Sequence, residues 1–304
     1  MRAIFTKVFG DLRRRLVQTI VVASIVALAT GVGTLALALI NASSAPYDNA
    51  FAQNAGAHLA VTFDSTHVTA NQLVTTAQLP DVTKTAGPWP VTILDVAYGS
   101  AKTHLLTIGR PSATAPLDHL QIVAGRWVAG PREIVLTRSF AQLANLHVGD
   151  HILSLNRSDT PQLTVVGEAV DIDEGSASLF DPQFAWVMPD QVAKLLPDTV
   201  NTGFMMLYRF RHAATQADLD RDTQALTSAL PQGSIEATIT HLTIQQIFNL
   251  NSSLILSFFL AFAAFALGAV VIIVVNIVAG AVLASVRDIG ITRALGFTPG
   301  QAVL

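Results

Sequence analysis

The sequence predicts a membrane protein of mixed α+β class, in which two transmembrane helices flank a large extracytoplasmic domain with two subdomains. Of its 304 residues, 51% are hydrophobic and only 13% are charged, and the mean hydropathy is +0.49. Soluble domains carry about 25% charged residues. Two long apolar runs lie near the ends of the chain, and residues 41–242 between them alternate strand-like and helix-like patterns.

The second apolar run, residues 254–286, contains no Asp, Glu, Lys or Arg. As an α-helix at 1.5 Å per residue it would be about 50 Å long, which exceeds the hydrocarbon core of about 30 Å. We therefore expect residues 243–286 to form a stalk that continues as transmembrane helix 2. A core helix of a globular protein is the alternative, but such helices rarely need so long an uncharged run.

Three residues of this run are candidates for helix packing. Asn276 would be costly in lipid without a hydrogen-bond partner on a neighbouring helix. Gly268 and Gly280 have no side chain and would let a neighbouring helix approach closely. We interpret Asn276 as a packing residue, and a role toward a substrate is the alternative.

The first apolar run, residues 16–40, contains only mildly polar interruptions and is long enough to form transmembrane helix 1. A cleaved signal peptide would also begin with Arg13, Arg14 and Arg15, but its apolar region would be only about 7 to 15 residues long. We therefore predict an uncleaved anchor. Residues 1–15 before it form an amphipathic cytoplasmic N-terminus, which either lies on the inner membrane surface or is a solvated helix.

Charge is distributed unevenly along the chain. Residues 1–15 and 287–304 contain seven basic and two acidic residues, a net charge of +5, whereas residues 16–286 contain 11 basic and 19 acidic residues, a net charge of −8. Because basic flanks stay in the cytoplasm, we expect a multi-pass protein of a bacterial cell membrane with its N-terminus inside and residues 41–242 outside. The acidic outer domain lacks the basic surface that nucleic-acid binding requires.

Residues 41–242 divide into outer pieces and a middle. A strand over 57–63 and a helix over 69–79 precede the middle, and a strand over 203–210, a helix over 215–230 and a strand over 234–239 follow it. We expect these pieces to pack together as a membrane-proximal subdomain. Residues 91–198 would then be a strand-rich insertion. The strands predicted within it cover residues 91–98, 103–108, 133–136, 151–155, 162–170 and 184–188.

The last segment, residues 287–304, begins with Arg-Asp-Ile-Gly-Ile-Thr-Arg-Ala-Leu-Gly directly after the second apolar run. Its pattern predicts a short amphipathic helix. Ile289, Ile291 and Leu295 would form its apolar face, and Gly296 would be the C′ residue at which it ends.

Four motifs follow one another in the outer domain: Ala124-Gly-Arg-Trp127, Arg132-Glu-Ile-Val-Leu-Thr137, Leu146-His-Val-Gly-Asp150 and Leu163-Thr-Val-Val-Gly167. They predict a turn, a strand, a short helix capped by Thr137, a tight turn at Gly149 and a buried strand pair. In this order, and together with the segment from Arg287 to Gly296, they resemble the FtsX/MacB family of ABC transporter permeases. The resemblance covers nearly the whole chain.

The resemblance implies a MacB-type periplasmic core domain followed by the start of an FtsX-like permease domain, C-terminally incomplete because family members continue with two further spans. It also implies that the last segment contacts a separate ATPase. The contact residues would be Arg287, Asp288, Ile289, Ile291, Arg293, Leu295 and Gly296. A dimer of that ATPase would bind ATP and Mg²⁺ and drive mechanotransmission to the outer domain, for export, lipoprotein release or envelope signalling. Further partners would be a second permease copy, in a homo- or heterodimer, membrane lipid and an envelope protein.

No pattern in this chain points to catalysis, a metal or a cofactor. Cysteine is absent, and the sequence contains neither a Gly-x-x-x-x-Gly-Lys-Ser/Thr loop for ATP nor a Gly-x-Ser-x-Gly elbow. His147 and His151 are separated by a turn, and two ligands do not make a zinc site. Asp171, Asp173 and Glu174 form an acidic loop that is shorter than a calcium ligand ladder. We therefore expect a non-catalytic membrane subunit.

Two other functions fit parts of the pattern. A two-span membrane sensor with a ligand-binding outer domain would share the topology, but it would normally continue with a heptad-patterned linker, and here Gly-Phe-Thr-Pro-Gly follows Leu295. A membrane-tethered enzyme would need a convergent acid, base or metal cluster, and the sequence suggests none.

Overall fold

The computed structural model describes residues 45–172, 183–197, 200 and 202–295, together with several helical positions between 20 and 34. The chain divides into two units, residues 45–249 and residues 1–44 with 250–304. The predicted N-terminal segment 1–15 lies outside the described residues, as do most of the first predicted span and Asp173 and Glu174 of the acidic loop.

The first of these units contains ten strands. They are β1 (Leu59–Phe63), β2 (Val82–Tyr98), β3 (Ala101–Gly109), β4 (Gln121–Gly125), β5 (Glu133–Thr137), β6 (His151–Ser154), β7 (Gln162–Val170), β8 (Gln183–Val187), β9 (Gly203–Phe210) and β10 (Ile235–Thr240). The helices described in the chain are α1 (Ala45–Gln53), α2 (Ala70–Thr75), α3 (Arg138–Ala144), α4 (Pro189–Val192), α5 (Gln216–Ala229) and α6 (His241–Ala294). Short 3₁₀ turns follow α2 and α4, at Thr76–Gln78 and Ala193–Leu195.

All ten strands belong to one hydrogen-bonded sheet, in the order β10-β1-β9-β2-β3-β8-β5-β7-β4, with β6 pairing with β2 and β7. Most pairs are antiparallel, and β3 with β8 and β5 with β7 are parallel. The two predicted subdomains are therefore two halves of one continuous sheet, and the mixed α+β class is confirmed for the outer domain.

Strands β1, β9 and β10, which belong to the predicted outer pieces, are neighbours in one half of the sheet. Its helices begin where the sequence placed them: Thr69 and Thr215 each form a reciprocal capping box, with Gln72 and Asp218 respectively. Both helices cover one face of the sheet and bury a common core. Its fully buried members include Leu59, Val61, Phe63, Leu73, Tyr208, Leu219 and Leu226.

Strand β2 is 17 residues long and belongs to both halves. Residues 82–91 pair with β9 and residues 91–98 pair with β3. The sequence predicted only the second part, because Gly87, Pro88 and Pro90 are typical strand breakers. The structure accommodates them with a register shift between Ala86 and Trp89, where Gly87 has a φ of 103°. A bulge of this kind is where a strand tolerates proline.

The family motifs meet where β4 runs beside β7. Gly125 ends β4 and lies opposite Gly167, so the predicted turn at Ala124 is the end of a strand. The following Arg126 reaches both carboxylate oxygens of Glu133, which also accepts hydrogen bonds from the backbone N–H groups of Ala129 and Gly130. Arg126 is the main reason that the pKa of Glu133 falls to about 2. These contacts close the loop between β4 and β5.

The next two motifs form the predicted helix and turn. Thr137 occupies the N-cap of α3, but its side chain makes no capping hydrogen bond and its Oγ1 is buried without a hydrogen-bond partner. The backbone N–H of His147 donates to Asp150 Oδ2 at 2.8 Å across the tight turn, where Gly149 has a φ of 102°. Thr137 therefore caps α3 by position, whereas Asp150 fixes the turn by a hydrogen bond.

Replacing Gly167 with alanine should lower the stability of the outer domain by about 1–3 kcal/mol. A Cβ atom there would collide with the backbone oxygen of Arg126 and approach that of Ala124 at 3.1 Å, and neither can move without breaking the β4–β7 pair. Chemical denaturation of the purified protein would measure the change. Gly130→Ala is the matched control, because its nearest contact would be the Glu133 side chain at 3.9 Å. Equal stability of the two variants would contradict the packing argument.

Helix α6 has 54 residues and is unbroken from His241 to Ala294. At 1.5 Å per residue it is about 81 Å long. Its portion Ser257–Ala284, 28 residues with a hydropathy of 3.0, is long and apolar enough to cross a membrane. Among the described positions of the first apolar run, Thr30 and Thr34 donate their hydroxyl groups to the helix carbonyls of Val26 and Thr30, which satisfies these polar side chains within the helix.

Candidate functional site

Helix α6 starts without a linker from the last strand of the sheet. Thr240 is the final residue of β10 and His241 is the first residue of α6. The Thr240 hydroxyl oxygen accepts a hydrogen bond from the backbone N–H of Thr243 at 3.2 Å, so the last strand residue also caps the helix. Strand and helix are thereby fixed to each other.

An aromatic cluster surrounds this start, and we call it the joint: Tyr47, Phe51, His58, His241 and Phe248. Tyr47 and Phe51 lie on α1, His58 lies one residue before β1, and His241 and Phe248 lie on α6. The ring centroids of His58 and His241 are 5.0 Å apart, and Phe51 stacks on His58 at 5.7 Å and lies 5.3 Å from His241. Tyr47 contacts Phe248 at 5.3 Å.

Hydrogen bonds tie the joint to the sheet. The backbone N–H and the Nδ1 of His241 both lie within hydrogen-bond distance of the His58 carbonyl oxygen, at 3.0 and 3.2 Å. His58 Nδ1 in turn accepts the backbone N–H of Phe210, the last residue of β9, at 3.1 Å. The helix start therefore depends on β1 and β9 as well as on β10.

Two further bonds connect α6 to α1. The Tyr47 hydroxyl donates to the His241 carbonyl at 3.3 Å, and Gln245 Nε2 donates to Asp48 Oδ1 at 2.8 Å. In the chain, α1 follows the first apolar run, and α6 leads from the sheet into the second. The joint therefore contains residues from both segments that connect the outer domain to the apolar runs.

The joint disfavours positive charge on its histidines. Burial, together with the nearby His241 and Arg209, lowers the pKa of His58 to about 4. Burial also lowers the pKa of His241, against the opposing effects of the His58 carbonyl and Asp48. Both rings are therefore neutral at neutral pH.

The predicted ATPase contact residues lie at the other end of the same helix. Residues 287–295 continue α6 and its final turn, so the separate short helix predicted for this segment is wrong. The physical reason is that no proline lies between Val286 and Ala294, and the single Gly290 costs the helix only about 1 kcal/mol. Ile291 is 53% exposed, Leu295 is 73% exposed and Arg287 is exposed. The backbones of Asp288, Ile289 and Arg293 lie in this helix, and Gly296 lies outside the described residues.

The single apolar face predicted for this segment is also corrected. At 100° per residue, positions 289 and 291 lie about 160° apart around a helix, whereas positions 287, 291 and 295 follow one another within about 80°. One stripe of α6 therefore contains Arg287, Ile291 and Leu295, and Ile289 belongs to another side.

A comparison with known protein families identifies the family of this chain. The family described as "MacB-like periplasmic core domain" matches residues 19–230. The chain belongs to this family. The assignment confirms the resemblance to FtsX/MacB-like permeases drawn from the motifs between Ala124 and Gly167, and it makes the chain a membrane protein with a MacB-like extracytoplasmic segment. Proteins of this family are components of ABC transporter permeases, which are generally non-catalytic. No curated protein matches the chain.

Solved structures of MacB-like domains are similar to it at low identity. The periplasmic region of MacB from Actinobacillus actinomycetemcomitans matches with a TM-score of 0.39 and 12% identity, over 63% of this chain and 92% of that one. The extracellular domain of the noncanonic ABC-type transporter YknZ from Gram-positive bacteria matches with a TM-score of 0.37 and 10% identity, over 59% and 100%. A domain of a putative permease protein from Porphyromonas gingivalis matches with a TM-score of 0.35 and 12% identity, over 56% and 83%.

The predicted helix-packing residues of this MacB-like chain lie on the apolar portion of α6. The side chain of Asn276 is exposed, and a Cβ atom added to Gly268 or Gly280 would have no described atom within 4 Å. These positions are open to a neighbouring helix, and their packing role stays a prediction.

Two cavities adjoin the sheet of the MacB-like domain. One, of about 680 Å³, adjoins His58 and is also lined by Arg211, His212, Asp218 and Arg221. The other, of about 260 Å³, is lined by Trp89 and Arg110. Within the part of the chain that the structure describes, no three His, Asp or Glu side chains gather as metal ligands.

The sequence analysis missed the joint. His58 and His241 are 183 residues apart, and neither belongs to a recognisable motif. A signal was nevertheless present, because His58 lies near the start of the first predicted strand, 57–63, and His241 follows shortly after the last one, 234–239. Antiparallel pairing of β1 with β10 brings these two strand ends together.

Proposed function

We propose that this chain is a permease subunit of an ABC transporter of the FtsX/MacB type, in which a separate ATPase drives movement of the extracytoplasmic domain. Two copies of the chain, or this chain and a related one, would pair in the membrane. A dimer of the ATPase subunit would bind ATP and Mg²⁺ on the cytoplasmic side. The output would be export, lipoprotein release or envelope signalling.

The observation that carries this proposal is the continuity of α6. One helix begins at the last residue of the sheet, includes a portion able to cross the membrane and ends in the segment that resembles the family's ATPase contact. A continuous helix transmits displacement along its axis, because a sharp kink would require disruption of its backbone hydrogen bonds. The sheet would therefore follow the movement of Leu295 and its neighbours.

The direction of movement would come from the partner. ATP binding can shift the permease between two arrangements only if the ATP-bound ATPase binds one of them more tightly. The stripe of Arg287, Ile291 and Leu295 is the surface on which that difference would act, since two of its three side chains are apolar and more than half exposed. The domain outside would then push on a substrate or an envelope partner.

Replacing Leu295 with aspartate should reduce the ATPase that co-purifies with the full-length protein by about tenfold or more, since burying a charge in an apolar contact costs more than 1.4 kcal/mol. The measurement is purification in mild detergent from native membranes, followed by assay of nucleotide hydrolysis. The outer domain should stay folded, because Leu295 lies outside residues 45–249.

The matched control is Ile247→Asp, which places the same charge at a 45% exposed position near the other end of α6. Co-purification lost with Leu295→Asp but retained with Ile247→Asp supports the proposal. If the unmodified protein carries no ATPase at native expression, the two-span sensor becomes the better function.

A further inference from the structure

The two histidines of the joint occupy a position where protonation has a structural consequence. His58 lies between the sheet and α6: its ring nitrogen holds the end of β9, and its carbonyl oxygen holds the first residue of α6. His241 packs against the same ring at 5.0 Å.

The bond between His58 and β9 exists only while the ring is neutral. Nδ1 accepts the N–H of Phe210, and a protonated Nδ1 carries its own hydrogen and becomes a donor. A charged His58 would therefore turn two donors toward each other. It would also bring its positive charge close to the neighbouring His241 ring, so protonation of one ring opposes protonation of the other.

The charged groups around the joint favour neutral histidines. From β9, the Arg209 guanidinium lies 5.8 Å from the Phe51 ring that stacks on His58. From α1, the Asp48 carboxylate favours a charged His241, but one of its oxygens accepts a hydrogen bond from Gln245. The open side of His58 faces the larger cavity. Its ionisable residues are Arg211, His212, Asp218 and Arg221, and the last two pair with each other.

We propose that acid in the outer compartment loosens the joint, which holds the start of α6 on the sheet, by protonating His58 and His241, so that the coupling is strong at neutral pH and weak at acidic pH. The inference rests on the proposed function, since it concerns the same helix. The sign follows from linkage: both folded pKa values lie below 6.5, so neutral rings stabilise the joint above that pH. This stability is lost as the pH falls from about 6.5 towards 4.

Hydrogen exchange at the Phe210 amide tests this loosening directly, because that amide donates to His58 Nδ1. Full-length protein in lipid nanodiscs would be exchanged at pH 7.5 and pH 5, with rates corrected for intrinsic exchange. We expect the protection of Phe210 to fall by about 10- to 30-fold at pH 5, from the pKa difference of His58 alone. Amides of β5, which lies in the other half of the sheet, should keep their protection.

His58→Asn is the matched variant. The Asn side-chain oxygen can occupy the place of Nδ1 and accept the Phe210 N–H, but it does not titrate. Protection of Phe210 should then become independent of pH between 7.5 and 5. The inference is overturned if wild-type protection does not change with pH, if His58→Asn keeps the wild-type pH dependence, or if β5 loses protection together with Phe210.

The experiment contains no ATPase, so its outcome is separate from that of the proposed function. If the Phe210 amide is acid-sensitive but the protein binds no ATPase, the pH response of the joint is supported and the transporter function is contradicted. If an ATPase binds through Leu295 but the Phe210 amide does not respond to pH, the transporter function is supported and the pH response of the joint is contradicted.

Discussion

Replacing Gln246 with proline should abolish the transfer of ATP-driven movement to the outer domain while both the domain and the ATPase contact remain formed. Gln246 is the sixth residue of α6 and is exposed, so its side chain holds no packing contact that the change would remove. Proline there removes the hydrogen bond to the carbonyl of residue 242 and clashes with it, which costs about 3 kcal/mol and kinks the helix. Movement would then be absorbed at the kink.

The absence of cysteine makes this measurable. A single cysteine in place of Leu143, which is 48% exposed on α3, can be spin-labelled in both permease copies. We expect the distance between the labels to differ between the ATP-bound and ADP-bound complexes in the wild type. In Gln246→Pro the two distances should be equal.

Gln246→Ala controls for loss of the side chain, because alanine keeps the helix and should preserve the wild-type response. Co-purification of the ATPase with the proline variant controls for the contact at Leu295. A proline variant that retains the full ATP-dependent distance change would show that continuity of α6 is not required, and it would remove the main support for mechanotransmission.

Arg110→Ala should be the most destabilising single change in the outer domain, with a loss of about 3–5 kcal/mol. Arg110 is 3% exposed, and its Nη2 donates to the backbone carbonyls of Ala113, Leu117 and Asp118. Its guanidinium lies 4.5 Å from the centre of the Trp89 ring. Alanine would remove the donor to the Leu117 and Asp118 carbonyl oxygens, whereas the Ala113 carbonyl keeps the N–H of Leu120, and it would remove the cation beside the buried Asp118 side chain.

Thermal unfolding of the full-length protein would show this as a fall in midpoint of about 10 °C, given about 2–4 °C per kcal/mol for a domain of this size. Arg138→Ala is the control, because Arg138 is exposed and the change should be worth less than about 0.5 kcal/mol. Similar midpoints for the two variants would show that the loop from Arg110 to Asp118 is held by other contacts.

Local patterns predicted most of the sheet. Strands β7 and β9 lie within the predicted limits because each is an apolar run bounded by glycine or polar residues. The first half of β2 was missed because a bulge that tolerates Pro88 is defined by the partner strand, and pairing across the sheet is not visible in a local window. The sequence predicted two separate subdomains for the same reason, because the strand pairing that joins them into one sheet is not visible in a local window.

Only those parts of the candidate site whose residues are close together in the sequence could be predicted. The segment ending at Leu295 was found from its own residues, although its faces were assigned incorrectly because the pattern was interpreted as alternation and not as helical rotation. His58 and His241 required the pairing of the first strand with the last. Arg110 resembled an ordinary surface arginine, since its burial depends on carbonyl groups of its own loop and on Trp89.

The strand order also has a consequence for biogenesis. β1, near the start of the outer domain, lies between β9 and β10, the last two strands to be synthesised. The sheet edge at β1 therefore stays open until residue 240 has been translocated, and the next residue already belongs to α6. Closing contacts of such long sequence separation form slowly. We expect completion of the outer domain and membrane insertion of α6 to be successive steps of one assembly event, during which the unpaired edge of β1 is exposed to chaperones or to aggregation.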